Sequence, residues 1–108
     1  MIELVNDYFK SFSDKNLGKL TKLFSDDVCL TDWEINAVGK PDVIAANKKI
    51  FDSVQSISIE ILRIDQIGVK FYCLLNISID REVIRVLDVL TLDSSGRLIR
   101  NVDAYRQF

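Results

Sequence analysis

Val83-Ile84-Arg85-Val86-Leu87-Asp88-Val89-Leu90-Thr91-Leu92 and Arg97-Leu98-Ile99-Arg100-Asn101-Val102-Asp103-Ala104-Tyr105 are two runs of mostly β-branched and aliphatic residues. Asp93-Ser94-Ser95-Gly96 separates them, a turn-forming cluster in which Gly96 can supply a positive φ. The pair reads as a β-hairpin. Side chains alternate faces along a strand, so Asp88 shares a face with Ile84, Val86, Leu90 and Leu92. A carboxyl therefore sits in the middle of an apolar stripe. A turn centred on Ser94-Ser95 would set Leu90 opposite Ile99 and Asp88 opposite Asn101. The second strand would then add Ile99, Asn101, Asp103 and Tyr105 to that face. An apolar wall bearing two carboxyls, an amide and a phenol reads as a pocket lining.

The rest of the chain supplies what such a wall needs. With 108 residues it is one domain, spanning 1–108. Hydrophobic residues at 48% and charged residues at 28% match an ordinary soluble globular domain. The net charge of −2, with no clustered basic face, argues against a nucleic-acid partner. No apolar run approaches the roughly 20 residues of a membrane span, and the first residues lack the pattern of a secretory leader. The cytoplasm is the expected location. Cys29 and Cys73 lie in strand-like runs and read as small buried residues, with a disulfide or a reactive thiol as the alternative. There is no histidine. That removes Ser-His-Asp and Cys-His nucleophile systems and histidine metal sites, leaving Asp, Glu, Tyr, Lys or water to move protons.

Taken in order, residues 2–14 show the three-and-four spacing of an amphipathic helix, with Ile2, Val5, Phe9 and Phe12 on one flank and Tyr8 beside them. Ser13-Asp14-Lys15-Asn16 breaks it. A short second helix places Leu17, Leu20, Leu23 and Phe24 inward, and Ser25-Asp26-Asp27 reads as a turn. Val28 to Glu34 reads as a first strand, and Ile35 to Lys40 as a loop. Pro41 opens a third helix running to about Ser53, with Val43, Ile44, Asn47, Ile50 and Phe51 inward. Asn47 is either a boundary residue bonded to backbone or a donor into a pocket. Ile57 to Ile64 and Val69 to Ile79 alternate as strands, with a parity slip at Ile61-Leu62-Arg63-Ile64 that predicts a bulge. Helices first and strands after make an α+β pattern. The hairpin is apolar on both faces, and no helix remains to cover the second. A second copy of the sheet is the simplest cover, which predicts a homodimer.

These features resemble the nuclear-transport-factor-2-like superfamily, and within it the ketosteroid isomerase and SnoaL-like polyketide cyclase branch. The resemblance rests on Asp14-Lys15-Asn16-Leu17 after a Tyr-bearing helix and on Leu23-Phe24-Ser25-Asp26-Asp27-Val28 leading to Asp32. It continues with Gly39-Lys40-Pro41-Asp42-Val43-Ile44 and with Val86 to Leu98 around the hairpin turn. It implies a cone-shaped α+β domain in which three N-terminal helices pack inside a strongly bent antiparallel sheet and enclose a cavity. It further implies Asp32 as a general base, and Tyr8 and Asp88 as hydrogen-bond donors to an oxyanion. Such tuned carboxyls are a known property of ketosteroid isomerase. Asn101, Asp103, Tyr105, Asn47, Val86 and Leu90 are the expected ligand-binding residues.

Physical reasoning supports those roles separately. Removing a proton α to a carbonyl needs a carboxylate near the carbon and donors near the oxygen. A carboxyl in an apolar wall resists ionisation and can act as a donor, which suits Asp88. Asp32, near a strand end, should be wetter and stay ionised. Each residue also has a plain structural reading: Asp88 as a fold-stabilising acid, Asp32 as an exposed strand residue, Tyr8 as core. Trp33, of opposite parity to Asp32, reads as packing or a dimer contact. Asn101 and Asp103 favour a ligand smaller and more polar than a steroid, and Asp88 with Asp103 could share a proton. The sequence thus points to an isomerase, cyclase or lyase on a small carbonyl ligand, needing no metal or organic cofactor. The alternative is a non-catalytic ligand-binding or dimerisation module of the same fold.

Overall fold

A computed structural model describes residues Met1–Phe108. There are three helices: α1 (Ile2–Ser13), α2 (Leu17–Thr21) and, after two strands, α3 (Lys40–Ser53). The strands are β1 (Phe24–Thr31), β2 (Asn36–Val38), β3 (Ile57–Ile67), β4 (Lys70–Ile79), β5 (Glu82–Leu92) and β6 (Ile99–Arg106). They form one sheet in the order β2-β1-β6-β5-β4-β3. All neighbours are antiparallel except β1 and β6, which run parallel.

Local chemistry accounts for the helix limits. α1 buries Val5, Tyr8 and Phe9 along one flank. It stops where Lys15 takes a φ of 53°, a left-handed conformation that a helix cannot continue through. Asn16 then caps α2, its Oδ1 accepting from the Lys19 N–H at 3.0 Å. α3 starts after Gly39, whose φ of 88° turns the chain, and Pro41 occupies the first turn. Its buried face is Val43, Asn47 and Phe51.

The sheet is apolar on its inner side. Phe71, Cys73 and Leu75 of β4 and Val86 and Leu90 of β5 are fully or almost fully buried beneath the helices. Each large side chain buried this way contributes about 1.5–3 kcal/mol. The expected bulge is present: Ile61 pairs with Leu75 and Arg63 with Leu74, so Leu62 is the extra residue. It bends β3 and lets the sheet curl around α1.

Three expectations need correction. β1 starts at Phe24, so Ser25-Asp26-Asp27 lies within the strand. There the β1–β6 register jumps from Phe24–Ile99 to Cys29–Asn101. The Ser25 hydroxyl bridges the Asp27 carboxyl and the Ile99 carbonyl, which holds this irregular stretch against the sheet. The expected loop after β1 contains β2, three residues paired with β1 and too short to show alternation. The third correction is the hairpin register. Asp88 pairs with Ala104, and Leu90 with Val102. The connection keeps Asp93 to Leu98 out of the ladder, with Asp93 Oδ1 accepting from the Ser95 hydroxyl and from the Arg97 and Leu98 N–H groups. Ile99 still pairs with Leu92 and faces inward, but the ladder slips by one residue at Arg100, and this bulge turns the other face of the rest of β6 to the helices.

Candidate functional site

The curled sheet and the helices enclose a cavity of about 270 Å³. Its wall includes Tyr8 and Phe12 from α1, Asn47 and Ile50 from α3, and Ile57 and Ile59 from β3. Ile77 and Ile79 from β4, and Val86 and Asp88 from β5, continue it. Val102, Ala104 and Arg106 of β6 close it, with Asp32 to Ile35 at the end of β1. The volume falls just below the roughly 300–1,000 Å³ of sites for drug-sized ligands.

Asp88 is 7% exposed, and its carboxyl has no hydrogen-bond partner within the protein. Burial, and secondarily the negative charge of Asp32, push its pKa up to about 7. Tyr8 is 4% exposed and packs edge-on against Phe9 and Phe24, with ring centroids 5.2 and 6.1 Å away. Its hydroxyl likewise has no partner within the protein. Burial first, then the charges of Asp88, Cys73 and Asp32, hold its pKa well above the ordinary tyrosine value. Tyr8 is therefore a donor at physiological pH. Cys73, paired with Asp88 on the neighbouring strand, is buried, and its thiol is pushed up to about 12 mainly by burial.

Asp32 lies one residue past the end of β1. Its Oδ1 accepts from the Glu34 N–H at 2.7 Å and the Ile35 N–H at 2.6 Å, closing an Asx turn. Oδ2 has no partner. Thr31 pairs with Asp103, so the next step sets Asp32 beside Ala104, whose other neighbour is Asp88. The two acids flank the small Ala104 side chain, with backbones about two strand spacings, roughly 10 Å, apart. The influence of Asp32 on the ionisation of Asp88 follows from that placement.

The remaining candidates divide by face. Val86 and Asn47 line the cavity with Tyr8, Asp32 and Asp88. One Asn47 Nδ2 hydrogen is held by the Val43 carbonyl at 3.0 Å, which leaves Oδ1 as its unpartnered acceptor. Leu90 is fully buried in the core beyond the cavity wall. Asn101, Asp103 and Tyr105 are on the outer face of the sheet, a consequence of the bulge at Arg100. There Asn101 Nδ2 donates to Asp103 at 2.9 Å, and Tyr105 is 60% exposed. Asp103 therefore does not face Asp88 and cannot share a proton with it.

Trp33, Ala104, Glu82 and Arg106 were missed. Trp33 enters the wall because the Asx turn at Asp32 ends the strand, and parity counted through it fails. Ala104 and Arg106 have the parity opposite to that expected for β6. No cluster of three or more His, Cys, Asp or Glu side chains could hold a metal ion.

Comparison with known proteins agrees with this architecture. The family description of the SnoaL-like domain matches residues 2–78. No curated protein matches the chain. A structure from Shewanella denitrificans OS-217, provisionally described as a SnoaL-like polyketide cyclase, superposes with a TM-score of 0.86 at 15% identity. That match covers 97% of this chain and 88% of the other. One from Kribbella flavida DSM 17836, provisionally described as a ketosteroid isomerase, gives 0.84 at 16% identity, covering 98% and 76%. An NTF2-like protein of unknown function from Cytophaga hutchinsonii ATCC 33406 gives 0.83 at 11% identity, covering 97% and 88%. At such identities the likeness is one of fold.

Proposed function

The chain belongs to the SnoaL-like domain family, and from that premise we propose that it is an acid–base isomerase, cyclase or lyase acting on a small carbonyl compound. Asp32 is the base, and Tyr8 and Asp88 donate to the carbonyl oxygen. The observation that carries this reading is a buried, unpartnered carboxyl on a cavity wall with a second carboxyl across one alanine.

The chemistry follows from the two environments. Asp32 Oδ2 is free to take a proton from the carbon next to the carbonyl, while its Oδ1 is fixed by two backbone donors. As that C–H bond breaks, its electrons move into the C–C–O system and negative charge collects on oxygen. The Tyr8 hydroxyl and a protonated Asp88 are placed in a dry wall where donors stabilise such charge strongly. Return of the proton from Asp32 to another carbon completes an isomerisation. Attack of the enolate on a second carbonyl would give a cyclisation, and loss of a leaving group an elimination.

The test is hydrogen–deuterium exchange on a panel of small enolisable ketones. Asp32→Asn should reduce the exchange rate by about 10²–10⁴-fold. Tyr8→Phe should reduce it by about 10²–10³-fold. Equal rates in the Asp32→Asn variant and the parent would remove the assigned base.

A second reading has its own support. Fifteen of the 22 wall residues are hydrophobic, so the cavity could hold a small apolar molecule with no chemistry following. On either reading we place the protein in the cytoplasm, where its free thiols Cys29 and Cys73 stay reduced. We also propose a homodimer through the outer sheet face, where Val83 and Tyr105 are 64% and 60% exposed beside the half-buried Leu74 and Leu87.

A further inference from the structure

Arg106 differs from every other residue of the cavity wall. It is the single cation there, against the four acids Asp32, Glu34, Glu82 and Asp88. Along β6 it follows Ala104 on the same face and pairs with Val86, one side-chain repeat from the Asp88–Ala104 pair. Its Nη2 donates to Glu82 at 3.0 Å. Glu82 is 67% exposed, so this is a rim contact that water and other anions can replace at little cost. The guanidinium carbon lies 5.9 Å from the Trp33 ring centroid and 4.8 Å from that of Phe108, within cation–π range of both. Arg106 Nε is buried without an acceptor, the only such side-chain atom in the chain. Buried donors are nearly always satisfied, and a cationic one left unpaired is costly.

We propose that Arg106 anchors a carboxylate on the ligand, which makes the ligand a small oxo acid. Nε and Nη2 lie on one edge of the guanidinium, the edge that a carboxylate bridges with two parallel hydrogen bonds. Glu82 engages only one of the two. A ligand carboxylate that displaces Glu82 to solvent gains both and satisfies the orphaned donor. The charges also set the orientation. At the inner end an anion would meet Asp32 and Asp88, so the carboxylate binds at Arg106 and the carbonyl points to Tyr8 and Asp88. The inward direction of the carbonyl rests on the acid–base reading above; the anchor itself is read out by binding and needs no turnover.

The experiment is calorimetric titration of the full chain with short linear oxo acids and their methyl esters. The best acid should bind about tenfold or more tightly than its ester. Arg106→Gln should erase that preference by weakening acid binding far more than ester binding, and Arg106→Lys should retain part of it. Glu82→Gln should act in the opposite direction and tighten acid binding a few-fold, which keeps the proposal testable if the arginine variants unfold. Acids and esters binding alike overturns the anchor, as does failure of every acid to bind. So does a preference that survives Arg106→Gln, or acid binding not improved by Glu82→Gln. Acid binding through Arg106 with exchange unaffected by Asp32→Asn leaves the anchor standing and removes the base. Exchange lost in Asp32→Asn with no acid preference does the reverse.

Discussion

Asp88 concentrates the physics of this molecule in one carboxyl. It loses hydration on folding, gains no hydrogen bond within the protein, and faces a second acid. Its pKa rises from 3.8 to about 7 on folding. The raised value sets the sign of its effect on stability. Below pH 4 the carboxyl is protonated in both states and contributes no difference. Between about 4 and 7 the unfolded chain gives up the proton while the folded chain keeps it, so stability falls as pH rises. Above about 7 the penalty is complete, at most about 4 kcal/mol. Asp88→Asn should therefore be more stable than the parent at about pH 8, and the gain should vanish as the pH approaches 4. Chemical denaturation across that range measures it. Catalysis should show the same group with the opposite preference from a base: the exchange rate falls as pH passes about 7, because the donor proton is lost.

At the scale of elements, β6 decides what the cavity contains. Its Val102, Ala104 and Arg106 face inward because a bulge at Arg100 follows the Leu92–Ile99 pair and reverses the parity of the strand. Alternation along β5 was fully legible in the sequence, and so were the placement of Asp88 in an apolar stripe and the bulge at Leu62. The register between β5 and β6 was not. Both faces of the two strands carry apolar residues, so pattern could not choose between registers of opposite parity. The true turn is held by the Asp93 carboxyl and by Gly96 at a φ of 70°, features that only the folded loop displays. The bulge at Arg100, which no residue pattern marks, moved Asn101, Asp103 and Tyr105 to the outer face. Ala104, between the two acids, follows as the residue that keeps their meeting place open. Ala104→Leu should fill that space and lower affinity for any cavity ligand by tenfold or more, with little change in folding cooperativity. Titration of the variant beside a melting curve separates the two effects.

For the whole molecule, the order of helices and strands was enough to reach the α+β class, because helix spacing, the Pro41 start and the β3 bulge are local signals; the cone around a cavity came from the family resemblance. The place of Trp33 was not legible, since the Asx turn at Asp32 breaks the parity that placed it outward. The outer sheet face, with Leu74, Leu87, Val83 and Tyr105, should bury itself against a second copy. Sedimentation equilibrium should return a dimer, and Leu87→Glu should return a monomer with the cavity intact. What unifies the molecule is an acid whose ionisation is opposed, inside a curled sheet, by burial and by a second acid nearby. Carbon-13 NMR titration of the Asp88 carboxyl tests that most directly. The account predicts a midpoint near 7 that drops when Asp32 is replaced by Asn. A midpoint near 4, unmoved by that replacement, would contradict it.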